Sequence, residues 1–304
     1  MTAELDLIES IQSALTDRSG GRVHTWTGDD AAVVRARDYA VTSIDTLVEN
    51  VHFSLATHSA ADVGWKALAT ALSDLAAMGA GAGEAYVALV VPSRFDGSLD
   101  LVLGMEELAE ATGTTIAGGD LVSGQILAVT VAVTGWADRA RELIGRGGAW
   151  DGDLVGVTGE LGGSEAGRLA LESGEGGSTG LVRRHLRPEP RLAEGTALAR
   201  AGATAMIDLS DGLATDARHL AERSGVQLRL QLAQVPCAPG VEPVAAATGG
   251  DDYELLFTIA AERRAAAEAA ATVSWLGEVV KGNGVVLIGE DDRPVEGLSG
   301  YEHA

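Results

Sequence analysis

Apolar residues recur along this chain with two distinct periods. Behind Ser59-Ala-Ala-Asp62, a helix-start signature, Leu68, Leu72 and Leu75 fall at helical spacing and predict a helix over 59–78. The same spacing predicts helices over 3–15, 99–112, 164–172, 191–201 and 212–223, the last closed by Gly225. Short runs of apolar and β-branched residues predict strands at 31–35, 39–44, 84–92, 126–136, 154–158 and 205–208. Strands alternating with helices give a mixed α/β (α+β) chain. Between 138 and 153 glycine and charge concentrate together, which marks a boundary between a domain over 1–137 and a second over 138–304. The Gly- and Ser-rich stretch 172–180 reads as a flexible loop.

Composition narrows the classes of function. The chain has 304 residues, 46% of them hydrophobic, enough to fill a sizeable core in two ordinary domains. Its net charge of −22 argues against nucleic acid or an anionic membrane as a partner, because both need basic patches. The longest apolar runs, near 85–92 and 126–133, are of strand length and too short to span a bilayer. The N-terminal residues lack the basic start and apolar core of a signal peptide. A single cysteine, Cys237, rules out an internal disulfide and fits a cytoplasmic home. There is no Gly-x-x-x-x-Gly-Lys-Ser/Thr loop, so phosphate binding here would not use one.

Carboxylates sit at the ends of apolar segments throughout. Asp29-Asp30 precede a strand, and Ser43 and Asp45 share one side of the next by period-two alternation. Asp74 interrupts an otherwise apolar helix, and Asp120 follows a glycine pair. Asp208, Ser210 and Asp211 lie where a strand runs into a helix. Taken singly, each such acid is ordinarily a turn or helix cap. Their recurrence points further, because two like charges about 4 Å apart repel by about 4 kcal/mol at an effective dielectric near 20. A converging set needs divalent cations, and oxygen donors without a His or Cys cluster favour Mg²⁺. An acidic protein that binds a polyphosphate would then use the metal as the bridge.

Seven segments carry a resemblance: Gly28-Asp-Asp-Ala-Ala, Ser43-Ile-Asp-Thr-Leu-Val-Glu-Asn-Val-His-Phe53, Leu72-Ser-Asp-Leu-Ala-Ala-Met-Gly-Ala80, Gly118-Gly-Asp120, Arg184-His-Leu-Arg-Pro188, Ile207-Asp-Leu-Ser-Asp-Gly-Leu213 and Gly249-Gly-Asp-Asp-Tyr-Glu-Leu255. In this order they resemble the thiamine-monophosphate kinase family, within the aminoimidazole-ribonucleotide-synthetase-like superfamily. The resemblance spans nearly the whole chain. It implies two α/β domains, the N-terminal one (1–137) binding magnesium and nucleotide and pairing across a homodimer into a β-barrel flanked by helices. The C-terminal domain (138–304) would complete the active site.

The implied activity is ATP-dependent phosphorylation of thiamine monophosphate to thiamine diphosphate, with several Mg²⁺ ions and ATP as co-substrate. The resemblance assigns magnesium to Asp30, Ser43, Asp45, Asp74, Asp120, Asp208 and Asp211. It assigns the nucleotide to Gly119, Asp120, Arg146 and Ser210, and thiamine monophosphate to His52, Glu254 and Tyr301. Asp30, Asp74, Asp120, Asp208 and Arg146 would carry catalysis. Ile44 departs from a threonine in relatives, Asp251 from a glutamate, and Arg139 and Arg141 compete with Arg146 for its place. Another ATP-using enzyme of the superfamily is one alternative, and a non-catalytic Mg-nucleotide-binding protein is the other.

Overall fold

The computed structural model describes residues 3–27, 29–174, 180–289 and 291–301. Gly28 and the middle of the expected 172–180 loop lie outside the described residues, as do 302–304. The chain divides into two compact units, one of 1–75 with 81–139 and one of 76–80 with 140–304.

The first unit begins with helix α1 (Ala3–Ala14) and a two-stranded antiparallel ribbon, β1 (Val23–Thr25) with β2 (Val33–Val34). The expected strand at 31–35 shrinks to Val33–Val34, because acids precede this apolar pair and Arg35-Ala-Arg-Asp38 follows it. Then come β3 (Tyr39–Val48), α2 (Ala60–Ala77), β4 (Gly81–Pro92), α3 (Ser98–Thr112), β5 (Thr115–Gly124) and β6 (Ala128–Ala137). Four of these strands form a sheet in the order β3-β6-β4-β5. Strand β3 pairs antiparallel with β6 over its full length, and β4 pairs parallel with β5.

Strand β5 was absent from the sequence pattern because it is built around Gly118-Gly119, poor strand formers. Gly119 is required by space, since a Cβ there would lie 2.3 Å from the Val87 carbonyl oxygen. Helices α2 and α3 also approach at glycine: a Cβ on Gly64 would meet the Leu101 carbonyl, and one on Gly104 the Ala61 carbonyl. Helix α2 lies on the sheet face that bears Ser43, whose hydroxyl reaches Asp74. The other face of β3 carries Thr42, Ile44 and Thr46, all exposed, with Ile44 65% accessible.

In the second unit, β7 (Leu154–Thr158), α4 (Gly163–Ser173), α5 (Gly180–Leu186), α6 (Leu192–Ala201), β8 (Ala203–Asp208) and α7 (Leu213–Ser224) follow in turn. Next are β9 (Gln227–Gln231), α8 (Pro243–Thr248), β10 (Leu255–Ile259), α9 (Arg264–Ala270), β11 (Val273–Val280), β12 (Gly284–Ile288) and β13 (Pro294–Val295). A seven-stranded sheet orders them β13-β12-β9-β11-β7-β10-β8, antiparallel except for the β12–β9 pair. Strand β10 is buried at all five residues because both its faces are covered, so four of the five are apolar and the fifth, Thr258, accepts the Ala205 N–H at 3.1 Å. Leu256 faces the cluster containing Leu213, Ala217 and Leu220 of α7, whereas Leu255, Phe257 and Ile259 face the cluster with Leu198 of α6 and Ala267 of α9. Among the described residues, no helix is long and apolar enough to cross a membrane.

Candidate active site

Four of the expected carboxylates fall into two groups, Asp45 with Asp74 in the first unit and Asp208 with Asp211 in the second. In the first, period-two alternation along β3 puts Ser43 and Asp45 on its half-buried face, while Ile44 points the other way. The threonine-to-isoleucine departure therefore removes no oxygen from the Ser43–Asp45 face. Asp74, one of the few half-buried residues in the otherwise buried second half of α2, accepts a hydrogen bond from the Ser43 hydroxyl. Burial, with the Asp74 charge adding to it, pushes the Asp45 carboxyl up to about 6.

His52 follows β3 in a turn where Asn50 takes φ +65°. Its Nδ1 accepts a hydrogen bond from the Val48 N–H at 3.1 Å, so in the neutral ring Nε2 carries the hydrogen. Gly119 falls in the cross-strand row of Asp45, Val131 and Val87. Asp120 falls in the next row, with Thr46, Thr130 and Ala88, and so belongs to the opposite face of the sheet. Asp30 is exposed, and its N–H donates to the Asp29 carboxylate at 2.8 Å. The first unit thus brings Ser43, Asp45 and Asp74 together and leaves Asp30 and Asp120 on exposed positions.

In the second unit β8 delivers Asp208, 4% exposed, into the turn 209–212 that opens α7. Asp216, one turn into that helix, accepts the Asp211 N–H at 3.0 Å and is 2% exposed. Burial raises its carboxyl to about 8, reinforced by the charges of Asp208 and Asp211. Among the described residues, Asp211, Asp216 and His219 are the one group of three such side chains whose ligand atoms lie within 4.8 Å of one another. Sequence reading passed over Asp216, although an acid in the first turn of a helix after Asp-Gly was a visible signal.

The segment 249–254 laces this turn from one side. Asp251 N–H donates to the Ser210 carbonyl at 2.8 Å, Tyr253 N–H to Leu209, and Leu209 N–H to Glu254. Two non-glycine residues of the segment sit in left-handed backbone, Asp251 at φ +65° and Tyr253 at +52°, a conformation that costs a bulky residue energy. Tyr253 is buried, with its hydroxyl on Asp251 at 2.9 Å. Glu254, 3% exposed, has both oxygens engaged. Arg191 grips it through Nε at 2.8 Å and Nη2 at 2.5 Å, and the Thr158 hydroxyl donates at 2.6 Å. Neither Arg191 nor Thr158 was singled out in the sequence. Ser210 is half-buried, Tyr301 is exposed, and Arg146 is exposed with its carbonyl accepting from the Ser224 hydroxyl.

Residues 28–137 match the family described as AIR synthase related protein, N-terminal domain, and residues 151–290 match AIR synthase related protein, C-terminal domain. Fold and site therefore define a two-domain protein of the AIR-synthase-related class. A thiamine-monophosphate kinase of Mycobacterium tuberculosis (strain H37Rv) is 42% identical over 228 residues, which covers 74% of this chain and 68% of that one. The crystal structure of thiamine-monophosphate kinase from Stenotrophomonas maltophilia K279a superposes with a TM-score of 0.83 at 32% identity, covering 97% of each chain. A structure described as AaThiL complexed with AMPPCP and TMP superposes with a TM-score of 0.78 at 30% identity over 97% of this chain and 94% of that one. The chain belongs to the thiamine-monophosphate kinase family.

Proposed function

We propose that this chain transfers the terminal phosphoryl group of ATP to the phosphate of thiamine monophosphate, giving thiamine diphosphate and ADP. The observation that carries the reading is the near full-length likeness to the AaThiL complex with AMPPCP and TMP. The enzyme is a kinase whose acceptor is itself a phosphate group.

The donor set suits magnesium. Hydroxyl and carboxylate oxygens are gathered at Ser43, Asp45 and Asp74, where burial first, and the Asp74 charge second, disfavours the ionised Asp45 carboxylate, a penalty that a hard cation would relieve. Magnesium would be held by Asp30, Ser43, Asp45, Asp74 and Asp120 in the first unit and by Asp208 and Asp211 in the second. Its contribution is to neutralise phosphate oxygens and so let two anions approach.

The rest falls to the chain. Gly119, Asp120, Arg146 and Ser210 would hold the nucleotide, with the guanidinium of Arg146 steadying charge on the transferred group. His52 would donate from Nε2 to a substrate phosphate oxygen. Glu254, its orientation set by Arg191, and Tyr301 would meet the thiamine phosphate. The acceptor oxygen is already ionised near neutral pH, so no strong general base is needed and positioning carries the reaction. The transfer is direct, without a phosphoenzyme.

The open face of the first sheet supports a homodimer. Ile44 on β3 and Val122 on β5 are 65% and 45% exposed there, on a face that is open at Thr42, Ile44, Thr46 and Asp120 although Glu84 on the same face is buried against Arg22. Pairing of this face with a second copy would bury it, and Asp120 lies on it. A cytoplasmic home, where ATP is abundant and thiols stay reduced, belongs to the same reading.

The test is to incubate the protein with ATP, Mg²⁺ and thiamine monophosphate and to follow thiamine diphosphate directly. Stoichiometric ADP and thiamine diphosphate are expected, lost on chelation and restored by added Mg²⁺. ATP binding without any thiamine diphosphate would leave a non-catalytic nucleotide-binding protein instead.

A further inference from the structure

The turn that carries Asp211 is held from a second side, by the last described residues of the chain. Tyr301 N–H donates to the Asp211 carbonyl at 2.9 Å. Gly300 N–H donates to the Thr215 hydroxyl oxygen at 2.8 Å, and the Arg218 guanidinium reaches the Leu298 carbonyl at 3.5 Å. Leu298 itself packs on the core cluster beneath α7. Residues 298–301 therefore lie along the first two turns of α7 and end on Asp211.

Gly300 is fixed there by space. A Cβ at that position would stand 1.8 Å from the Asp211 carbonyl oxygen and 3.3 Å from the Thr215 hydroxyl, so any side chain must lift the segment off the turn. Thr215 is only 4% exposed, so its oxygen faces the segment rather than water, whereas Tyr301 is 53% exposed. The backbone of the segment is thus anchored while Tyr301 keeps about half of its surface accessible.

We propose that residues 298–301 form a strap in which Gly300 and Thr215 are positioning residues, fixing Tyr301 for its contact with the thiamine ring system. The proposal rests on the assignment of Tyr301 to substrate given above and goes beyond it. Because Tyr301 and Asp211 share a hydrogen bond, the aromatic contact and the metal-holding turn move as one piece. Ordering the turn pre-orders Tyr301, and the entropy of fixing the strap is not paid again when substrate arrives.

The test uses the full-length enzyme with saturating Mg²⁺ and steady-state kinetics on thiamine monophosphate and ATP. Thr215→Val and Gly300→Ala are expected to raise KM for thiamine monophosphate about tenfold, the loss of one well-placed hydrogen bond, with kcat and KM for ATP changed less than about twofold. Thr215→Ser, which keeps the acceptor oxygen, is expected to restore the wild-type KM. Tyr301→Ala should raise KM by at least as much, and the Gly300→Ala/Tyr301→Ala pair should be no worse than Tyr301→Ala alone, because the strap acts only through Tyr301.

Two results would overturn the proposal while sparing the Tyr301 assignment. One is an unchanged KM in Thr215→Val and Gly300→Ala beside a raised KM in Tyr301→Ala. The other is a parallel fall in kcat, both affinities and melting temperature, which means a structural role. An unchanged KM in Tyr301→Ala sinks the substrate assignment and the strap with it. Thiamine diphosphate formation in that same variant shows separately whether the kinase reading stands.

Discussion

The hydroxyl of Ser43, on β3, donates a hydrogen bond to the carboxylate of Asp74, on α2. A serine at a strand position and an acid in the second half of an otherwise buried helix become one polar group 31 residues apart in sequence. With Asp45 pushed up to about 6 beside them, they concentrate oxygen donors where the helix covers the sheet. Asp74→Asn keeps the shape and removes the charge. Turnover is expected to fall at least about 100-fold, since charge neutralisation at the phosphates is lost. The metal-free melting temperature should move by less than about 2 °C. A collapse of that melt would make Asp74 structural.

Ile44 presents its side chain away from Ser43 and Asp45, on an exposed part of the other face of the first sheet. Ile44→Lys places a charge in the centre of that face at little cost to the monomer, because the site is exposed. Light scattering after size-exclusion chromatography is expected to show half the wild-type mass. A dimer mass in the variant would place the contact elsewhere, and a monomer mass in the wild type would sink the proposed homodimer.

Glu84 is fully buried in β4 and held by Arg22, with Nε at 2.9 Å, and by the Trp136 indole N–H at 2.6 Å. Arg22 also lies 5.5 Å over the Trp136 ring. Arg22→Ala leaves an uncompensated buried carboxylate, and unfolding free energy in urea should drop by about 3 kcal/mol. Adding Glu84→Gln to that variant should recover part of the loss. Equal stability of Arg22→Ala and wild type would show that the pair contributes nothing net.

Asp252 caps the start of α4, accepting the Gly162 N–H at 2.6 Å and the Ser164 N–H at 3.2 Å. Burial nevertheless lifts its carboxyl from 3.8 to about 7, with Glu254 adding to the rise and the two backbone bonds and Arg184 opposing it. The fold therefore favours the neutral acid. That stability is fully present below 3.8 and is lost as pH rises through about 7. Asp252→Asn mimics the neutral form at every pH. The melting-temperature difference, wild type minus variant, is expected to decline as pH goes from about 4 to about 8. A flat difference would mean that Asp252 titrates as an ordinary carboxylate.

Period was the legible part of the fold. Helix 59–78 was read within a residue of α2 (Ala60–Ala77), and the end of α7 was marked by Gly225, which takes φ +68° in the left-handed cap. Strand β5 escaped because its glycines carry no strand preference and answer to the approach of Val87 instead. The short helix α5 escaped too, for seven residues are too few to show a helical period. The acids at the ends of apolar segments could be picked out by position, but Asp216 was not, and the partners of Glu254 could not be. Arg191 and Thr158 lie 63 and 96 residues from Glu254, and no local pattern joins residues at such separations.

By itself the sequence determined the type of the strongly periodic elements and the acidic character, because these follow from side-chain chemistry and short-range periodicity. Family membership was also written there, in motifs that keep their order along the chain. Only the tertiary structure decided which acids meet. Pairing register sends Asp45 and Asp120 to opposite faces of one sheet, and Asp216 joins Asp208 and Asp211 where a strand turns into a helix. It alone showed that Gly300 must lack a side chain, since the carbonyl of Asp211 occupies the space a Cβ would take. Long-range packing sets such distances, and a local pattern holds no record of them.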